Sequence, residues 1–293
     1  MPLLFMCLPG IVYLLVFAYL PMFGIVIAFK NFKFSEGILG SEWVGLKNFE
    51  FLFASEAAWR ITYNTIFLNF LFIFFGLVAA VALAIMMNEV KNKLVNRFLQ
   101  STFFFPNILS WVVVAAFMVP FMATDTGLVN QIFLAVGLPQ IDFYSRAELW
   151  PLILVIVSIW KGAGYGSLIY LAAIMGISQE YYESARIDGA SKWKQIWHIT
   201  IPLLRPLMII LTILAIGRIF YADFGMFFNL IGNAGNLYPT TDVIDTYVFR
   251  ALRTTGDVGM AAAAGVYQSI VGFILVLLTN FAVRKIDKDS SLF

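Results

Sequence analysis

Apolar residues gather into six stretches along this chain, at roughly 3–29, 61–88, 98–123, 149–175, 203–230 and 260–283. A helix needs ~20 residues to cross a hydrocarbon layer of ~30 Å, and each stretch reaches that length. Strands of a membrane barrel would alternate apolar and polar residues over ~10 positions, whereas the run 70–87 contains no polar side chain at all. A bilayer offers the backbone no water, so each span must pair its own N–H and C=O groups, and helices do so. The pattern predicts an all-α integral membrane protein with six transmembrane helices. No internal repeat, low-complexity tract or linker interrupts it, so residues 1–293 read as one membrane domain.

Composition supports the pattern. Hydrophobic residues make up 61% and charged residues 12% of the chain, with a mean hydropathy of +0.87, against about 45–50% and about 25% in soluble proteins. The first stretch has no basic residue ahead of it, is too long for a signal peptide and lacks a small-residue cleavage site, so it reads as a retained span. The absence of Lys or Arg before residue 30 predicts a basic leader upstream of Met1.

Charge sets the expected orientation. With six spans, both termini share a side with Lys91, Lys93, Arg97, Arg186, Lys192, Lys194, Arg205, Arg284, Lys285 and Lys288. Six acids stand among them: Glu89, Glu180, Glu183, Asp188, Asp287 and Asp289. The opposite side carries seven cations (Lys30, Lys33, Lys47, Arg60, Arg146, Arg250, Arg253) and ten acids. The positive-inside rule counts Lys and Arg alone, and the bias of ten to seven places both termini in the cytoplasm. Cys7 is the single cysteine, so no internal disulfide is available.

Among the connections, 30–60 carries two aromatic-rich pieces, 31–34 and 43–49, suited to the membrane interface. Trp59, Tyr144, Trp150 and Tyr247 fall near span ends, where an aromatic belt is expected. The connection 176–202 differs in kind, because it carries helix signals of its own. Ser178 is placed to cap a short helix with Glu180 in its first turn, Gly189 to end it, Ser191 to cap a second helix and Pro202 to stop that one. The first of these helices groups Tyr181, Tyr182, Ala185 and Ile187 on about half its circumference, with Glu183 and Arg186 pointing elsewhere.

Glu183-Ser184-Ala185, three residues, Gly189, nine residues and Ile199-Thr200-Ile201-Pro202 resembles the EAA loop of binding-protein-dependent ABC importer permeases. Ser184 and Ile201 are the mild departures. The resemblance extends over nearly the whole chain: Val44 to Phe49 after the first span, Pro106-Asn107 in the third, Gly127, Asn130 and Gly137 beyond it, Trp160 to Gly166 leading to Ile169 to Ala173, and Asp242 to Val248. Together these are similar to the sugar-importer branch, especially importers of oligosaccharides or of alginate and similar polysaccharides.

The resemblance implies the type I importer permease fold, a non-catalytic half-channel with a cytoplasmic coupling helix. It implies a second homologous permease, two ATP-binding subunits that hold ATP and Mg, and an extracytoplasmic solute-binding protein. No cofactor is expected in this chain. The ATPase-coupling residues would be Tyr181, Tyr182, Glu183, Ser184, Ala185, Asp188, Gly189 and Pro202: an apolar wedge, a pairing charge and a turn. The alternative for 176–202 is a helix pair resting on lipid.

Charges inside spans cost about 2.5–3.5 kcal/mol on insertion scales and so usually face a bundle interior or a water-filled path. Lys161 lies in the fourth span, and Arg218 and Asp223 in the fifth. One reading has Lys161 and Arg218 lining the substrate path and favouring an anionic sugar. The other pairs Lys161 with a carbonyl freed in the glycine-rich stretch 162–166, and Arg218 with Asp223. Sugar also stacks on rings and needs dipolar partners, which adds Trp111, Tyr165, Tyr221 and Asn107 as path candidates, with Trp160, Tyr170, Asn64 and Asn69 also in or near spans. Gly162, Gly164, Gly166 and Ser167, like 261–265, suit close helix packing.

Other chemistry is not encoded. One His (His198, in the loop) and one Cys give no zinc-site spacing. No GxxxxGK[ST] phosphate loop is present, and a net charge of +2 with cations at membrane edges gives no nucleic-acid surface. The competing class is an ion-coupled secondary transporter or channel using Lys161, Arg218 and Asp223 as a relay. Such transporters commonly show two related halves, and none is visible.

Overall fold

The computed structural model describes residues 2–54 and 56–286. Asp287, Lys288 and Asp289 of the charge tally lie outside the described residues. The chain opens with α1 (Pro2–Leu14), which continues through a π-helical turn (Leu15–Tyr19) and a 3₁₀ segment (Leu20–Phe29) as one apolar rod. Residues 6–23 of the rod are exposed throughout. Only its end meets the rest of the bundle, where Ala28 is buried and Asn48 Nδ2 donates to the carbonyls of Ala28 and Lys30.

A small cap covers one end of the bundle: β1 (Lys30–Asn31) and β2 (Glu42–Trp43) pair antiparallel with Lys30 opposite Trp43, around α2 (Gly37–Gly40) and followed by α3 (Phe51–Ala54). Then α4 (Glu56–Glu89) runs for 34 residues, about 51 Å at 1.5 Å per residue, well beyond the hydrocarbon thickness. Its far end leads to α5 (Lys93–Ile108), capped by Asn92, whose side chain accepts from Leu94 N and Val95 N.

Hydropathy predicts one span over 98–123, but the chain bends there by 94° between α5 and α6 (Trp111–Phe121). Leu109 and Ser110 are extended (ψ 134° and 154°), and Ser110 Oγ accepts from Val113 N to start the new helix. Apolar content does not register direction, and so the bend is invisible to it. After α7 (Leu128–Ala135) the chain reaches α8 (Trp150–Met175), which packs closely along α4 and α5. Small residues permit this: a Cβ on Gly164 would lie 1.9 Å from the Phe103 carbonyl oxygen, and one on Gly166 3.2 Å from Ala80 Cβ.

Two short helices follow, α9 (Gln179–Ile187) and α10 (Lys192–Gln195). The sequence predicts that Pro202 stops the second. Instead α10 passes through a π-helical turn (Ile196–Thr200) into α11 (Ile201–Ile216), with Pro202 in the first turn of α11. Proline lacks the N–H that an α-helix would aim four residues back, and a wider turn just before it absorbs that defect.

The fifth predicted span, 203–230, also breaks. After α11 the segment 217–223 is a turn, and α12 (Phe224–Ile231) is a separate helix capped by Asp223, whose Oδ1 accepts from Met226 N. Then α13 (Tyr238–Thr241) and α14 (Ile244–Thr255) lead to α15 (Val258–Ile286). At the end of α11 the backbones of Gly217 and Gly272 touch, since a Cβ on Gly272 would lie 2.6 Å from Gly217 O.

Three buried clusters hold the bundle. One joins Leu68, Val114, Trp150, Leu154, Met226 and Phe227. A second lies nearer the 176–202 loop, around Ala84, Met87, Tyr170, Ile174 and Leu204, and a third sits near the β-pair with Ile61, Phe220, Ile244 and Ala264. Of the four expected belt aromatics, Trp59 is 75% exposed. Trp150 is buried and donates to Phe143 O, and Tyr144 donates its hydroxyl to Leu230 O, so these two pin a loop rather than meet lipid.

Candidate functional site

At the loop end of the bundle, α9 is built as its sequence signals require. Ser178 Oγ accepts from Glu180 N at 3.3 Å. Gly189 adopts φ +75°, and the bonds Ala190 N to Ala185 O (2.8 Å) and Gly189 N to Arg186 O (3.0 Å) close the helix as a Schellman motif. Tethers then fix the helix pair to the spans. The Tyr182 hydroxyl lies 3.0 Å from Thr200 Oγ1, Lys192 Nζ pairs with Glu89 at 2.7 Å, and buried Gln195 donates to Ala190 O.

The expected coupling residues are thereby sorted. Tyr182 and Ala185 are half-buried against the protein itself, while Tyr181 (58%) and Ile187 (87%) present apolar surface outward. Glu183, Ser184 and Asp188 are exposed, and among the described residues Glu183 has no ion-pair partner. Pro202 stands apart, in the first turn of α11. Trp193 and Trp197, one turn apart and both exposed, extend the apolar surface; the sequence reading passed over them, although their spacing of four is a helical-face signal.

The second group lies at the bend between α5 and α6. Lys161 Nζ donates to Leu109 O at 2.7 Å and Asn107 O at 2.9 Å, with Pro106 O at 3.4 Å, and sits 5.2 Å from the centre of the Trp111 ring. These carbonyls belong to the C-terminal end of α5, not to the stretch 162–166 of its own helix. The end of an α-helix leaves its last carbonyls unpaired, and a cation there also meets the negative end of the helix dipole. Trp111 Nε1 in turn donates to Asp223 Oδ2 at 2.6 Å, and Gly225 gives the indole room, as a Cβ there would lie 2.7 Å from Trp111 Cδ1.

Asn107, Trp111, Lys161 and Asp223 are therefore brought together. Tyr165, Arg218 and Tyr221 are not part of that cluster: Tyr165 is half-exposed beside Phe104, and Tyr221 bonds Ser269 at 2.6 Å. The expected Arg218–Asp223 pair does not form, because Asp223 serves Trp111 and the α12 cap while Arg218 is exposed. Among the described residues no ion pair joins any two of Lys161, Arg218 and Asp223. No group of three or more His, Cys, Asp and Glu is placed to hold a metal among them either.

Two acids in 242–248 have structural weight that the sequence did not assign. Asp242 is 1% exposed; Arg250 Nη2 donates to it at 2.6 Å and Arg60 Nη2 lies 3.6 Å away. Asp245 Oδ2 accepts from Ala222 N at 2.9 Å and Gln268 Nε2 at 3.2 Å, and Gln268 also donates to Phe220 O. That set staples the turn 217–223 to α14 and α15. Burial holds the Asp245 carboxyl above the usual carboxylate range, against the lowering effect of these donors.

Comparison with known proteins agrees with this architecture. The polygalacturonan/rhamnogalacturonan transport system permease protein YteP of Bacillus subtilis (strain 168) is 37% identical over 284 residues, covering 97% of this chain and 88% of that protein. Protein LplB of the same organism is 36% identical over 282 residues, with 96% and 88% covered. The crystal structure of a bacterial alginate ABC transporter, in complex with alginate pentasaccharide-bound periplasmic protein, contains a chain of 35% identity that superposes with a TM-score of 0.87, covering 98% of this chain and 95% of that one. Residues 73–288 match the family described as binding-protein-dependent transport system inner membrane component, and this chain, a membrane-spanning permease component, belongs to that family.

Proposed function

We propose that this chain forms half of the channel of an ATP-driven importer that carries an oligosaccharide or polysaccharide fragment, anionic in character, into the cytoplasm by alternating access. The observation that carries the reading is α9, a short capped helix that holds Tyr181, Glu183 and Ile187 outward and is fastened through Tyr182 to Thr200 at the start of the fifth span. A separate ATPase would seat this helix, with Glu183 as the pairing charge and Gly189 setting the angle. The loop and both termini would then be cytoplasmic. Two such ATPase subunits would bind the ATP and Mg, leaving this chain without a catalytic role.

A second, similar permease would complete the channel, and an extracytoplasmic solute-binding protein would deliver cargo at the end capped by β1 and β2. The bare rod 6–23 supports a neighbouring subunit, since it shares almost no surface with its own bundle. The polygalacturonan/rhamnogalacturonan named for YteP and the acidic polysaccharide alginate named for a similar ABC transporter support an acidic saccharide. The substrate path would run past Asn107, Trp111, Lys161 and Asp223, with Tyr165, Arg218 and Tyr221 as further candidates.

Purification and reconstitution test the reading. The chain should co-purify with a second permease and an ATPase, and ATP hydrolysis should rise with saccharide-loaded binding protein and fall in Glu183→Ala. Uptake driven by an ion gradient without an ATPase would overturn it. Acidic oligosaccharides should compete for uptake, and neutral ones of equal length should not.

A further inference from the structure

The outer flank of α4 carries a second feature that transport chemistry does not require. Trp59, Tyr63 and Phe67 recur every four residues along one face of α4, and with Pro151 of α8 and Pro239 of α13 they line a cleft of about 390 Å³ that opens beside Arg60. The Tyr63 and Phe67 rings stack at 5.6 Å with planes 8° apart, forming a continuous apolar floor. Trp59 and Tyr63 are 75% and 54% exposed.

Charge is unbalanced at the head of this cleft. Two guanidinium groups face one carboxylate, Asp242. Arg250 takes the close position at 2.6 Å and also lies 4.1 Å over the Tyr238 ring, so it is satisfied. Arg60 at 3.6 Å is beyond hydrogen-bond distance, its side chain is 42% exposed, and one positive charge of the trio is left over.

Depth identifies the counter-charge. α4 is about 20 Å longer than the hydrocarbon layer is thick, and Arg60 stands just outside its apolar stretch 61–88, on the headgroup side. From Trp59 to Phe67 the aromatic floor runs ~12 Å along the helix toward the polar-free stretch 70–87, at 1.5 Å per residue. Asn64 and Thr240, which also line the cleft, already spend their N–H and O–H on backbone carbonyls, so a saccharide would find little beyond the Tyr63 hydroxyl and the Trp59 indole, and a neighbouring apolar helix would leave Arg60 without a second partner.

We propose that this cleft binds an anionic phospholipid from the leaflet opposite the 176–202 loop, its phosphate on Arg60 and one acyl chain along Tyr63 and Phe67. Asp242 orients Arg60, and Trp59 covers the glycerol region. The site is independent of which cargo the protein moves.

Native mass spectrometry of the full importer complex tests it, after exchange into detergent containing phosphatidylglycerol or phosphatidylcholine. The wild type should retain phosphatidylglycerol preferentially. Arg60→Gln should lower that retention about tenfold, corresponding to ~1.4 kcal/mol, and remove the preference over phosphatidylcholine. Because Arg60 touches the Asp242 network, Phe67→Ala serves as a second variant that leaves the charges alone, and it should weaken retention of both lipids. A photo-crosslinking residue at Tyr63 should capture lipid. Unchanged phosphatidylglycerol retention in Arg60→Gln, or capture of the second permease at position 63, would overturn the proposal.

Discussion

Replacing Lys161 with Met tests whether this cation is a structural latch or a selector of charged cargo. Two of its bonds, to Leu109 O at 2.7 Å and Asn107 O at 2.9 Å, have good geometry, while the third at 3.4 Å contributes little. A hydrogen bond involving a charged group is worth about 1.5–3 kcal/mol net of desolvation. Two of them at the lower end give ~3 kcal/mol, the appropriate end because Lys161 is only half-buried. Loss of contact with Trp111 adds ~0.5–1 kcal/mol. Relief of the charge at membrane depth is already inside those net figures, so Lys161→Met should lose about 3.5–4 kcal/mol. Lys161→Gln, which can still donate two hydrogens, should lose roughly half as much.

The assay is unfolding of the purified complex in nanodiscs, followed by near-ultraviolet circular dichroism, with uptake of acidic and neutral oligosaccharides measured in parallel. A latch predicts a stability order of Lys, Gln, Met and equal fractional losses for both cargo types. A Met variant as stable as the wild type that loses only acidic uptake would refute the latch and restore the selector.

Three further outcomes follow from the same geometry. Gly164→Ala forces a Cβ to 1.9 Å from the Phe103 carbonyl and should destabilise by ~1–3 kcal/mol or more, whereas Gly162→Ala, with nothing within 4 Å, should be neutral in the same unfolding assay. Asp245 has a folded pKa above its unfolded value, so the folded state binds more protons, and wild-type stability should fall as pH rises from the ordinary carboxylate range through the raised value. Asp245→Asn should flatten that slope, and an identical slope would contradict the assignment. Gly189→Ala should cost about 1–2 kcal/mol locally, because the φ of +75° disfavours a Cβ, and it should lower saccharide-stimulated ATP hydrolysis while leaving basal hydrolysis in place.

The spans were legible because lipid imposes one rule on every residue of a crossing helix. The caps at Ser178, Gly189 and Ser191 were legible because capping is decided within three or four residues. What the sequence withheld was non-local. Lys161 reaches carbonyls 52 to 55 positions away, and Trp111 claims Asp223 across 112 positions, which defeats the nearer Arg218. Arg60 and Asp242 were read as separate outer charges, and nothing local joins them. The bend at 109–110 left a trace in Pro106 and in Ser110 before Trp111, but an apolar flank on both sides hid it.

The tethers of the α9–α10 loop have a mechanical consequence. Tyr182 is fastened to Thr200 at the root of α11, and Lys192 to Glu89 at the tip of α4. Lys192 and Thr200 belong to one continuous helix, Lys192–Ile216, so a load applied at Tyr181 or Ile187 would enter that rod through Tyr182, and the surface pair with Glu89 marks where the rod meets α4. The short helix would thus lean on a single rod, and displacement of its exposed face would move α11 as a lever.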